Sequence, residues 1–158
     1  MKNLGKLIKM KYIISAIGKM KNQHEDIITD KYLKRIKNIQ IKQYEIKLIN
    51  EQKKIEEEGL RLINSTPKNG KLVLLDEQGE NLTSPELAKI ILSWRDNNIA
   101  YINFAIGGAF GNGNQIKKRA DKIIAFGKLT WPHQMVKMMI AEQVYRIQTI
   151  IEGHPYHK

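Results

Sequence analysis

Strands and helices take turns along this chain, and that alternation does most to decide what it can fold into. Four apolar runs read as strands, Tyr12–Ile17, Lys71–Leu75, Ile99–Ile106 and Ile123–Phe126, and Ile39–Ile46, which alternates Ile39, Ile41, Tyr44 and Ile46 with polar residues, reads as a fifth. Helical spacing fills the intervals. Asp26–Ile36 sets Ile28, Leu33 and Ile36 among charges, and Leu48–Ile63 carries Ile55, Leu62 and Ile63 within a stretch dense in Glu, Lys and Gln. Ser84–Pro85–Glu86 opens a third helix with a capping hydroxyl, a proline at the first helical position and an acid in the first turn. Leu87, Ile91 and Trp94 form its buried stripe. Ile116–Ala120 is a short basic helix, and Pro132–Glu152 is the longest of all. The pattern predicts an α/β fold with a largely parallel sheet. No repeat or long linker divides the 158 residues, so a single domain is expected.

Charge and missing residue types narrow the partners. The 27 Lys and Arg outnumber 16 Asp and Glu, for a net charge of +11. Such an excess favours a polyanion, because each neutralised phosphate releases condensed counterions. An anionic membrane surface, or solubility alone, would also account for it. The excess is uneven: residues 1–71 hold 17 of the basic and 8 of the acidic side chains, and the first 21 residues hold six lysines and no acid. The chain contains no cysteine, which excludes disulfides, thiolate zinc sites, thiol nucleophiles and cysteine-ligated iron–sulfur clusters. No apolar run approaches the ~20 residues that span a bilayer, and the N-terminus lacks the apolar core of a signal peptide. A cytoplasmic protein with no membrane partner and no metal is the expectation.

Three segments could carry chemistry. Gly107–Gly113 (GGAFGNG) follows a strand and precedes a helix, where glycines let a ligand approach the backbone and helix N–H groups face an anion. It does not match the dinucleotide-binding glycine pattern, and a plain tight turn is the other reading. Phe126–Trp131 (FGKLTW), running into Pro132–His133, could hold an adenine edge through main-chain groups or be an ordinary strand-to-helix connection. In the tail Gly153–Lys158 (GHPYHK), Gly153 and Pro155 stop the helix. His154, Tyr156, His157 and Lys158 then suit either proton transfer and phosphate binding or a frayed polar end. On Pro132–Glu152, Met135, Met138 and Met139 widen the face made by Val136, Ile140, Val144, Ile147 and Ile151. That width implies either a second contact surface, such as another subunit, or deep burial in the chain's own domain.

Taken together, FAIGGAFG (Phe104–Gly111), KLTWPHQM (Lys128–Met135) and AEQVYRIQTIIEGHPYHK (Ala141–Lys158) resemble the bacterial ribosomal RNA large subunit methyltransferase H family, within the SPOUT class. LLDEQGENLTSPELA (Leu74–Ala88) and, more loosely, KYIISAIGKMK (Lys11–Lys21) extend the likeness over nearly the whole chain. The resemblance implies a SPOUT-type α/β knot with helices on both sheet faces and a C-terminal deep trefoil knot. It implies a homodimer packed through the knot and last helix, S-adenosylmethionine as cofactor, and methylation of N3 of a pseudouridine in 23S rRNA on the assembled ribosome.

Carried over by motif, Leu75, Gly107 and Gly108, together with Phe126, Gly127, Lys128, Leu129, Thr130 and Trp131, are the expected cofactor contacts. Tyr156, His157 and Lys158 are the expected catalytic group, preparing an imide nitrogen that must lose its proton. His133 is expected to serve the helix start, Glu142 and Arg146 to pair along their helix, and Lys117, Lys118 and Arg119 to meet phosphate or to form a solvated basic face. Residues 1–9 precede the family pattern and read either as a short lysine-rich N-terminal extension to a domain of residues 10–158 or as a stretch ahead of a translation start at Met10. A related knotted methyltransferase with another RNA target, or a non-catalytic ribosome-binding factor, is the alternative.

Overall fold

The computed structural model describes residues 9–19 and 21–158, so most of the expected N-terminal extension, residues 1–8, lies outside the described residues. The elements follow in order as β1 (Lys11–Ile17), α1 (His24–Leu33), β2 (Ile39–Tyr44), α2 (Glu51–Asn64), β3 (Gly70–Asn81), α3 (Ser84–Asp96), β4 (Tyr101–Ile106), α4 (Asn114–Arg119), β5 (Lys122–Ala125) and α5 (His133–Glu152). A short 3₁₀ turn, Pro155–His157, follows α5. The strands form one sheet, β2-β1-β4-β3-β5, in which every neighbouring pair is parallel. The α/β reading of the sequence therefore holds.

Side-chain alternation sorts the helices into two layers. Val73 and Leu75 point with Tyr12, Ile14, Ala16, Ile102, Phe104 and Ile106 toward one face, where Leu87, Ala88 and Ile91 of α3 and Ile140, Ala141, Val144 and Ile147 of α5 complete the core. Leu72, Leu74 and Ala105 point the other way and meet Leu62 of α2 and Ile116 of α4. Burial on both faces is why β1, β4 and the first half of β3 read as near-continuous apolar runs. A buried polar pair, Ser15 of β1 and Asn103 of β4, interrupts them. Asn103 accepts from Ser15 Oγ (2.8 Å) and donates to the Leu62 carbonyl (3.2 Å) and Thr66 Oγ1 (3.0 Å), fixing the end of α2 to the sheet. Among the described residues no helix is long and apolar enough to cross a membrane.

The structure differs from the sequence reading at two places that shape the site. Expected to end at Leu75, β3 runs on to Asn81, and Leu75 and Glu80 both stand opposite Ile124 of β5. The four residues between bulge out of register. Gly79 makes this possible, since a Cβ there would lie 2.5–2.8 Å from Ile124 backbone atoms. The cap of α3 is Thr83, not Ser84. Thr83 Oγ1 accepts from Glu86 N–H (3.3 Å) while Glu86 Oε2 takes Thr83 N–H (2.7 Å), a reciprocal box that the Thr-x-x-Glu spacing favours. Ser84 Oγ donates instead to Gln143 Oε1 on α5.

Candidate active site

The C-terminal ends of β3, β4 and β5 open onto a cavity of about 480 Å³, a usual size for a small-molecule site. In an open parallel sheet this is the edge where ligands bind, since the loops there leave strand ends and helix starts facing one crevice. Three walls enclose it: Leu75–Gln78 of the β3 bulge, the glycine turn Ile106–Asn112, and the segment from Ile124 to Trp131 that leads into His133 and Val136 of α5.

Asn112 ties the first two walls together. Its Nδ2 donates to the Leu75 carbonyl (3.1 Å) and to Asp76 Oδ2 (2.9 Å). Its Oδ1 lies 2.2 Å from where a Cβ on Gly107 would stand, so Gly107 must be glycine for the clamp to close. Asp76 also accepts from Gln78 N–H (2.9 Å) and faces Lys117 Nζ at 3.4 Å. Burial pushes the Asp76 carboxyl up, but the bonds from Asn112 and Gln78 and the Lys117 charge outweigh it and hold the group below the usual range. Gly111, at φ +82°, closes the turn by donating its N–H to the Gly108 carbonyl (3.1 Å).

Side chains brace the third wall from both ends. Gly127, at φ +86°, donates its N–H to Asn81 Oδ1 (2.9 Å), and the Trp131 indole N–H donates to the Phe126 carbonyl (2.8 Å). Thr130 Oγ1 bonds Glu77 Oε2, which joins this segment to the β3 bulge. Among the described residues the main-chain N–H groups of Leu129 and Thr130, which line the cavity, donate to no carbonyl. Burial, followed by the nearby Lys137 charge, pushes the His133 imidazole below its ordinary range, which favours a neutral ring at the cavity's edge.

Of the nine residues expected at a cofactor, Leu75, Gly107, Gly108, Phe126, Gly127, Leu129, Thr130 and Trp131 line this one cavity, and Lys128 does not. The sequence reading missed Asp76, Asn112 and Glu77 as organising groups. The Asn within Gly107–Gly113 was the available signal, because a polar residue amid glycines can clamp what the glycines leave bare.

The tail lies elsewhere. Gly153 ends α5 in the left-handed conformation and turns the chain back, so that Tyr156 OH donates to Glu142 Oε1 (3.2 Å). Its ring packs edge-on against Tyr145 at 4.6 Å and under the Arg146 guanidinium at 5.1 Å. Burial, with hydrogen bonding to Tyr32, pushes the Tyr156 phenol well above its usual range. The expected pair Arg146–Glu142 forms at 2.6 Å and is the seat on which Tyr156 rests. Neither Tyr156 nor Lys158 lines the cavity of its own chain, and the side chain of His157 lies outside the described residues. In α4, Lys117 is turned to Asp76, Arg119 pairs with Asp121 at 3.2 Å, and Lys118 is exposed.

Residues 10–157 match the family model described as predicted SPOUT methyltransferase. The chain is 38% identical over 152 residues to a ribosomal RNA large subunit methyltransferase H from Paramagnetospirillum magneticum, covering 94% of this chain and 99% of that protein. It is 39% identical over 153 residues to the protein of the same name from Hyphomonas neptunium, with the same coverage. Among solved structures, the SpoU methyltransferase AviRb from Streptomyces viridochromogenes, in complex with AdoMet, aligns at 10% identity and TM-score 0.46. That alignment covers 90% of this chain and 58% of the other.

Proposed function

We propose, for a chain that belongs to the ribosomal RNA large subunit methyltransferase H group of the SPOUT methyltransferase family, that it methylates N3 of a pseudouridine in 23S rRNA, using S-adenosylmethionine, on the assembled ribosome. The observation that carries the reading is the convergence of the β3 end, the glycine turn and Phe126–Trp131 on one cavity of about 480 Å³. The expected trefoil knot belongs to the same reading.

The cavity's chemistry fits the cofactor. Gly107 and Gly108 leave a bare wall, Leu75, Ile106, Ile124 and Val136 supply apolar surface, and the main-chain N–H groups of Leu129 and Thr130 suit the edge of a neutral heterocycle. When bound, S-adenosylmethionine supplies a methyl group on a sulfonium centre, already a strong electrophile. The protein's task is then to align and prepare the acceptor nitrogen, and alignment alone contributes roughly 7–11 kcal/mol in favourable cases.

We assign acceptor preparation to Tyr156, His157 and Lys158, acting in a homodimer. In one chain the tail is seated on the C-terminal half of α5, while the cavity opens at the N-terminal end of that helix. Two α5 helices packed antiparallel about a two-fold axis would bring each tail toward the other chain's cavity. Met135, Met138 and Met139, which are only half-covered within the chain, offer a face for such packing. The surplus of positive charge favours RNA as the macromolecular partner. Calorimetry with S-adenosylmethionine tests the cavity, and a chain ending before Tyr156 tests the tail. The shortened chain should bind the cofactor as the full chain does and fail to methylate ribosomes. Retained turnover would remove the tail from the mechanism.

A further inference from the structure

Behind the glycine turn, away from the cavity, lies a carboxyl group that the reaction as described does not use. Glu58, in the middle of α2, is 3% exposed, and its Oε2 has no hydrogen-bond partner among the described residues. Carboxylates are rarely so buried without a partner, and a buried polar atom left unpaired needs a reason. Burial pushes this carboxyl above its usual range, with Lys54 offsetting part of the effect.

Its surroundings supply the reason. A Cβ built on Gly108 would stand 2.5 Å from Glu58 Oε2 and 2.9 Å from Oε1, so the carboxyl rests directly against the Gly108 main chain. The same helix face touches the turn at two more points. Ile55 Cγ2 lies 3.0 Å from a Cβ on Gly113, and Lys54 Nζ sits 5.8 Å from the centre of the Phe110 ring. Gly108 and Phe110 line the cavity from the other side. The helix is itself held firmly, with Asn50 capping its start through Lys53 N–H (2.9 Å) and Asn103 bonding the Leu62 carbonyl near its end.

We propose that Glu58 is a positioning residue for the cofactor: its buried carboxyl backs the Gly107–Gly111 turn and sets the level at which that turn meets the ligand. The proposal rests on the cofactor reading of the cavity. It accounts for Gly108 as well as Glu58, since a bare Cα at position 108 is what the carboxyl requires. An apolar side chain of similar length would fill the space under the turn without leaving a polar atom unpaired. It would also replace the flat carboxyl face packed against Gly108, so the orphaned oxygen is retained for the site at a cost in stability.

The test uses the full chain, S-adenosylmethionine calorimetry, thermal unfolding, and hydrogen exchange of the Gly107–Gly113 amides without ligand. Glu58→Met is expected to melt no lower than the parent protein, yet to bind the cofactor about tenfold or more weaker and to exchange faster in the turn. Glu58→Gln, which keeps the planar shape packed against Gly108, should stay within about threefold of the parent. Gly108→Ala should abolish measurable binding, and Gly108→Ala combined with Glu58→Ala should restore it to about the level of Glu58→Ala alone. Parent-like binding by Glu58→Met, or a double variant no better than Gly108→Ala, overturns the proposal. If the parent protein binds no S-adenosylmethionine, the cofactor reading fails on its own. Exchange then still judges the support role, and an unchanged turn in Glu58→Met overturns it.

Discussion

Replacing Asn112 by alanine is expected to loosen the cavity at the joint between the β3 bulge and the glycine turn. The amide makes two bonds, one to the neutral Leu75 carbonyl at 3.1 Å and one to the Asp76 carboxylate at 2.9 Å. A net neutral bond contributes about 1 kcal/mol and one to a charged group about 1.5–3 kcal/mol. Asp76 keeps Gln78 and Lys117, so the expected loss is about 2–3 kcal/mol at neutral pH. The loss should depend on pH in a defined direction. Asp76 is held below its usual range in the folded state, so its stabilisation is fully present above the ordinary aspartate value of about 3.9 and fades as pH falls through the folded value. Denaturant unfolding at pH 7 and at about pH 3 reads this out: the gap between parent and Asn112→Ala should narrow on acidification. A gap below about 0.5 kcal/mol at pH 7, or one that widens in acid, would refute the clamp.

Other consequences follow from the same geometry. Gly79→Ala places a Cβ 2.5 Å from Ile124 backbone, so it should cost more than about 4 kcal/mol and leave little folded protein; a melting point within about 5 °C of the parent contradicts the bulge. Trp131→Phe removes the indole bond to the Phe126 carbonyl, and calorimetry should show cofactor affinity lowered about 5–10-fold with little change in melting point. In an assay of equal mixtures, Gly107→Ala chains and chains ending before Tyr156 should each be inactive alone. Their mixture should recover about a quarter of parental methylation if tails act across a dimer and subunits pair at random; no recovery would place the tail's action within one chain.

How much of this was legible in the sequence depended on whether a feature is local. The five strands and five helices follow from periodicity, because both sheet faces are covered over β1, β4 and the first half of β3, and β2 at the edge alternates. Residues 76–81 defeated that reading. DEQGEN carries no apolar pattern, and it belongs to β3 only because Gly79 lets the backbone lie against Ile124, a contact between residues 45 positions apart. Thr83 was passed over for Ser84 because both are good caps, and the choice turns on which hydroxyl stands three residues before Glu86. Within the site, the glycines at 107 and 108 were visible but their reasons were not. They are bare because Asn112 and Glu58 occupy the space, and neither contact leaves a mark in local spacing. Tyr156 illustrates the converse: its motif is distinctive, yet only the folded chain reveals that it rests on Glu142 and Arg146, away from the cavity of its own subunit.

The central claim is methyl transfer to large-subunit ribosomal RNA, and the most direct test supplies labelled S-adenosylmethionine and the purified protein to assembled ribosomes from cells lacking the enzyme, followed by nucleoside analysis. Label in N3-methylpseudouridine of 23S rRNA is the expected result. Label in another nucleoside would contradict the assigned target, and no label from a protein that binds the cofactor would contradict the assigned substrate.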